Sequence, residues 1–214
     1  MFVPSEIFHV VVRGQSHSPM FGTNAAREQL NQLISDTFGG YPACVHAFCW
    51  MDREAQLAVE TFSYPIRALL RRLSNLHSAR QKSAIANGVP PLDFSVRAAP
   101  LEGEGELLDC VRLIHLAPVR AGYAIDAADY RWSSHRAYLG LETVPWLTTD
   151  VVLESFVEES GRALQGYSEY IRHGYLKKRL VSEPVERTKA ALGPKAPVAN
   201  RAARDDNSSE QTGA

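Results

Sequence analysis

The chain has 214 residues, 45% hydrophobic and 22% charged, an ordinary globular mixture that excludes wholesale disorder, collagen-like repeats and coiled coils. Its 23 Lys and Arg balance 24 Asp and Glu to a net charge of −1, which excludes a uniformly basic DNA-coating protein but leaves room for a local basic face. Three scattered cysteines (Cys44, Cys49, Cys110) are too few for a disulfide framework or a zinc cluster and read as buried thiols in a reducing compartment. No apolar run approaches the ~20 residues that span a bilayer. Met1 to Glu6 lacks the basic start and apolar stretch of a signal peptide. The expectation is a soluble, cytoplasmic protein with no membrane partner.

In chain order, Ile7 to Arg13 is β-branched and aromatic and stops at Gly14, which predicts a strand. Asn24 is the expected cap of a helix reaching Phe38, with Leu30, Leu33, Ile34 and Phe38 at helical spacing and Gly39-Gly40 ending it. Val45 to Met51 and Ala55 to Phe62, separated by Asp52-Arg53-Glu54, predict a hairpin. Pro65 opens a second helix with Ile66, Leu69, Leu70, Leu73 and Leu76 along one side. Phe94 to Arg97 reads as a short fourth strand, and Glu106 to Leu116 as a third helix closed by Pro118. This order predicts an α+β fold, a ferredoxin-like antiparallel sheet with helices on one face, plus a C-terminal helical extension. The divisions are residues 1–140 for the ferredoxin-like domain, 141–181 for the extension and 182–214 for a disordered tail rich in Ala, Pro, Ser, Asn and balanced charges.

The helix from Pro65 to Lys82 carries Arg67, Arg71, Arg72, Arg80 and Lys82 and no acidic residue. Such an imbalance in a near-neutral chain attracts phosphates, although a solvated outer face explains it equally well.

The run Ile114-His115-Leu116-Ala117-Pro118-Val119-Arg120-Ala121-Gly122, followed by Asp129-Tyr130-Arg131-Trp132-Ser133-Ser134-His135-Arg136-Ala137-Tyr138, resembles the C-terminal signature of the REP-associated tyrosine transposases, insertion-sequence transposases of the HUH single-strand type. His9 to Gly14 and His46 to Met51 resemble two further motifs of that family, in the same order. The resemblance implies cutting and rejoining of single-stranded DNA near hairpins, during DNA transposition and recombination by a mobile element. A Tyr hydroxyl would attack a phosphodiester, aided by a divalent metal held by an H-x-H pair on a strand. Positions i and i+2 of a strand share a face, so both ligands reach one cation.

At the decisive positions the chain departs from that pattern. Glu54 and Gln56 stand at the H-x-H positions and His77 at the tyrosine position; no Tyr lies between Tyr64 and Tyr123. The resemblance with these replacements implies a transposase-like DNA-binding protein with a degenerate, inactive site. No cofactor is then expected, and Mg²⁺ or Mn²⁺ at Glu54 and Gln56 only if activity is retained.

The expected DNA contacts are Arg13, Arg67, Arg71, Arg72, Arg80, Arg120, Arg131, Trp132 and Arg136, with Lys82 on the same helix. Tyr130, Trp132 and Tyr138 sit among Arg131, Ser133, Ser134 and Arg136, a mixture suited to base stacking, although wedging the C-terminal segment against the sheet accounts for Trp132 and Tyr138 at least as well. The expected partner is single-stranded or hairpin DNA, with a homodimer left open. Two alternatives stand beside this reading: a protein-interaction module that no longer binds DNA, and a metal-dependent nuclease with a site rebuilt from Glu54, Gln56 and His77.

Overall fold

Every second side chain of Ser5–Gly14 (β1) from Phe8 to Val12 is buried, and the intervening ones are half-exposed, the period of a strand with one packed face. The computed structural model describes residues 5–14, 19–86, 94–160 and 162–176. Ala43–Trp50 (β2), Glu54–Phe62 (β3) and Phe94–Leu101 (β4) complete a four-stranded antiparallel sheet of order β2-β3-β1-β4. With helices Asn24–Phe38 (α1) and Ile66–Ala86 (α2) as its crossovers, this is the expected split βαβ topology. The fourth strand is longer than expected, because its ladder to β1 continues to the pair Ile7–Leu101.

Leu30, Leu33, Ile34 and Phe38 of α1 and Ile66, Leu69 and Leu73 of α2 pack against Phe8, Val10, Val12, Phe48, Trp50, Leu57 and Val59. The opposite face is covered as well. Ala47, Cys49, Met51 and Ala58 of the hairpin pack under Glu104–Arg120 (α3), His135–Tyr138 (α4), Asp150–Ser160 (α5) and Ala163–Leu176 (α6). Strands β2 and β3 are therefore buried on both sides, and the C-terminal helices supply the second layer.

Three local expectations are corrected. Thr23, not Asn24, caps α1: its hydroxyl accepts from the Ala26 amide at 3.2 Å, and Asn24 is the first helical residue. Pro118 does not close α3, which runs on to Arg120. It sits in the last turn, where its carbonyl accepts from the Tyr123 amide at 2.8 Å. The helix also starts two residues before Glu106, after Gly103 with a positive φ of 85°.

By internal contacts the chain divides into Met1–Leu180 and Val181–Ala214; the second unit, with the expected tail at 182–214, lies outside the described residues. Residues 141–176 belong to the same unit as the sheet. Among the described residues no helix is long and apolar enough to cross a membrane.

Candidate nucleic-acid interface

Arg13 and Glu54 face each other directly across β1 and β3, and His9 and Gln56 are diagonal neighbours on the same pair of strands. All four share the face that carries α3, which packs on β2 and β3. They form one hydrogen-bonded row. His9 Nε2 meets Gln56 Oε1 at 3.1 Å, Gln56 Nε2 donates to Glu54 Oε1 at 2.6 Å, and Arg13 Nε donates to Glu54 Oε2 at 3.0 Å. Burial pulls the His9 imidazole below its ordinary value, against the opposing pull of its Gln56 hydrogen bond and the Glu54 charge.

This row does not fit the divalent cation of the resembled family. Each Glu54 oxygen already faces a donor, one of them a guanidinium, and the Gln56 oxygen faces His9. A cation there would have to displace Arg13 and turn the amide. No group of three or more His, Cys, Asp or Glu suited to a metal occurs among the described residues.

His77 is not brought to this row. It lies on α2, its ring 4.1 Å from that of Phe94, with Gln81 Nε2 3.3 Å from its Nε2. Helix α2 packs on the face formed by Ala55, Leu57 and Val59, whereas Glu54 and Gln56 point to the other. The sheet stands between His77 and the two candidate metal positions, so the three do not form one catalytic site.

The Trp-Ser-Ser segment has a clear structural role. Trp50 N donates to Trp132 O at 2.8 Å, Ser134 N to Phe48 O at 2.9 Å, and Cys49 bridges to Ser133. Further along, Thr148 N donates to Val45 O at 2.9 Å, so both segments line the outer edge of β2. Tyr130 donates to Trp50 O and Tyr138 to His46 O, at 2.7 and 2.8 Å. Both rings are buried, which removes them from the base-stacking candidates.

Trp132 differs. It is half-buried, with the Arg27 and Arg131 guanidinium carbons 5.6 and 4.9 Å from its ring centroid. Arg27 is itself buried and ion-paired with Asp52 in the β2–β3 turn, beside exposed Arg53. Exposed Arg131 thus lies over Trp132, while exposed Arg53 and the Glu54-paired Arg13 lie at the same, hairpin end of the sheet. Sequence reasoning passed over Arg27 and Arg53. Arg27 was detectable, since it lies at i−3 and i−7 from Leu30 and Ile34 and so on the inward side of α1.

The basic helix is less free than its composition implied. Arg72 donates to Asp36 O at 3.0 Å and Arg80 is ion-paired with the Asp36 carboxylate, so both tie α2 to the C-terminal turn of α1. Arg67, Arg71 and Lys82 remain exposed. Arg136 is held by Ala128 O at 2.9 Å and Glu142 at 3.4 Å, whereas Arg120 is exposed at the end of α3.

No protein-family model and no curated protein matches the chain. Among solved structures it is similar to a REP-associated tyrosine transposase bound to a REP hairpin, with a TM-score of 0.50 and 14% sequence identity, over 69% of this chain and 89% of that one. At that identity the likeness establishes the fold: a transposase-like, four-stranded antiparallel sheet layered with helices.

Proposed function

We propose that the protein binds hairpin or single-stranded DNA through its Arg-rich ends and does not cut it. The observation that carries the reading is the exposed Arg131 guanidinium over a half-exposed Trp132, at the same end of the sheet as exposed Arg53 of the hairpin turn, on a fold shared with a protein solved on a DNA hairpin. Guanidinium groups take phosphates and the indole takes an unpaired base, a combination that binds nucleic acid in a near-neutral chain. The absence of cutting is supported by the separation of His77 from Glu54 and Gln56, and by the closed Arg13–Glu54–Gln56–His9 row.

The test is a binding titration with a labelled hairpin from the neighbouring genomic sequence, against a scrambled single strand, followed by a denaturing gel of the same samples with Mn²⁺. Hairpin-selective binding with no nick and no covalent adduct is expected. A nick lost on Glu54→Ala would instead establish the rebuilt nuclease. Affinity no better than the non-specific ~10⁻⁴ to 10⁻⁶ M would leave a fold without DNA in its function.

A further inference from the structure

Two loops meet at the end of the sheet opposite the hairpin turn. The first follows α1 and places Tyr41; the second joins β3 to α2 and places Tyr64. The Phe62 amide donates to Pro42 O at 2.8 Å and ties them together. Between them Ser63 adopts a φ of 52°, the one non-glycine residue with positive φ among those described, a conformation that costs energy and aims the next side chain. The two rings stand 5.3 Å apart and tilted by 58°, forming an open aromatic wedge.

Helix α2 supplies the other wall. Arg71, Arg72 and Asn75 lie three and four residues apart and so share one stripe, lining with both tyrosines a cleft of about 410 Å³ that has no acidic residue in it. Arg72 lies over the Tyr41 ring, its guanidinium carbon 4.8 Å from the centroid, and its buried Nε has no hydrogen-bond partner. Arg71 and Asn75 are exposed and make no side-chain hydrogen bond or ion pair among the described residues. The cleft therefore offers two aromatic faces, a free guanidinium and a free amide. Its volume suits one nucleotide rather than a duplex.

We infer that the Tyr41–Tyr64–Arg71–Asn75 cleft holds one unpaired nucleotide of a single-stranded DNA segment, its base against a tyrosine ring and its phosphate on Arg71. The site is separate from the Trp132 end of the sheet and rests on the DNA-binding reading above, to which it adds a preference for an unpaired tail. Stacking is tolerant of base identity, so the cleft selects for single-strandedness rather than sequence.

The experiment compares three DNAs: a blunt hairpin, the same hairpin with a short thymidine tail, and the tail alone. The tail is expected to tighten binding of wild type by about 5- to 150-fold, the range that one stacked base provides. Tyr64→Ala and Arg71→Ala should each remove most of that gain while leaving blunt-hairpin affinity unchanged, and Tyr64→Phe should keep it. Arg71 is exposed, so its replacement tests the cleft even if Tyr64→Ala unfolds. With 5-iodouracil in the tail, ultraviolet cross-linking should map to Tyr41 or Tyr64. Equal affinity for blunt and tailed hairpins, or a tail effect untouched by both variants, would overturn the cleft and leave hairpin binding standing. No binding to any of the three would overturn both.

Discussion

Tyr167 of α6 reaches two imidazoles with one hydroxyl, 2.5 Å from His135 Nδ1 and 2.7 Å from His115 Nδ1. His115 Nε2 lies 2.7 Å from Ser134 Oγ, which is in turn 3.2 Å from Phe48 O. The side chains form one relay from Ser134 through His115 and Tyr167 to His135, in which the Tyr167 hydroxyl donates to one imidazole nitrogen and accepts from the other. Tyr167→Phe removes the hydroxyl in the middle and leaves two buried imidazole nitrogens without partners. The expected loss is about 1–3 kcal/mol in urea denaturation, with the fold retained.

The same network sets a pH dependence. Burial pulls His115 well below its ordinary value and His135 down to about 4. Between about pH 6.5 and about pH 4 the unfolded chain therefore binds protons that the folded chain refuses, so stability is complete above about 6.5 and declines as the pH falls. Denaturation midpoints should drop between neutral pH and about pH 5; a flat profile across that interval contradicts the assignment. None of this was legible in the sequence, where His115 and His135 read as motif letters and Tyr167 lies 32 and 52 residues from His135 and His115. Only a tertiary contact joins them.

Helices and strands were read more easily, because their periods are local. The inward stripe of α1 and the alternation in β1 follow from sequence spacing alone. What spacing could not give was the face each helix covers. Helix α3 carries enough apolar surface to pack on either side, and it is the small residues Ala47, Cys49 and Ala58 that make the second face its seat. Helix α6 then packs on α3 at Gly174. A Cβ added there would lie 2.6 Å from Leu116 Cδ1 and 2.7 Å from Arg112 Cδ, and Leu116 is buried at 1% exposure with nowhere to go. Alanine ordinarily favours a helix over glycine by ~1 kcal/mol. Overpacking reverses the sign here: Gly174→Ala should destabilise by about 1–3 kcal/mol, measured as a lowered Tm together with faster amide exchange along α6.

At the scale of the whole molecule the strand order was legible, and the relation between candidate site residues was not. Glu54, Gln56 and His77 were drawn together by motif order, yet the two-residue period of β3 sends the first pair to one side of the sheet and α2 lies on the other. Charge at this scale is likewise more local than composition suggests, since Arg72, Arg80 and Arg136 are engaged by partners within the chain. Arg131 is left exposed over Trp132, and Arg53 is exposed in the β2–β3 turn. Each phosphate contact contributes about 0.7–0.9 to the slope of log affinity against log salt. The double variant Arg53→Ala/Arg131→Ala should therefore lower that slope by about 1.4–1.8 on hairpin DNA. An unchanged slope would place the phosphates elsewhere, on Arg67 and Lys82.

The lining of the β2 edge by residues 132–134 and 148 bears on how copies of the protein can meet. Main-chain donors and acceptors that are already paired offer no template to a second chain, so that flank is closed to strand addition. The opposite flank is β4, where Pro100 lacks an amide hydrogen and Arg97 sets an exposed charge mid-strand. A continuous sheet shared between two molecules is thereby disfavoured on both sides, which guards the protein against edge-to-edge aggregation and directs any self-association to its helical surfaces.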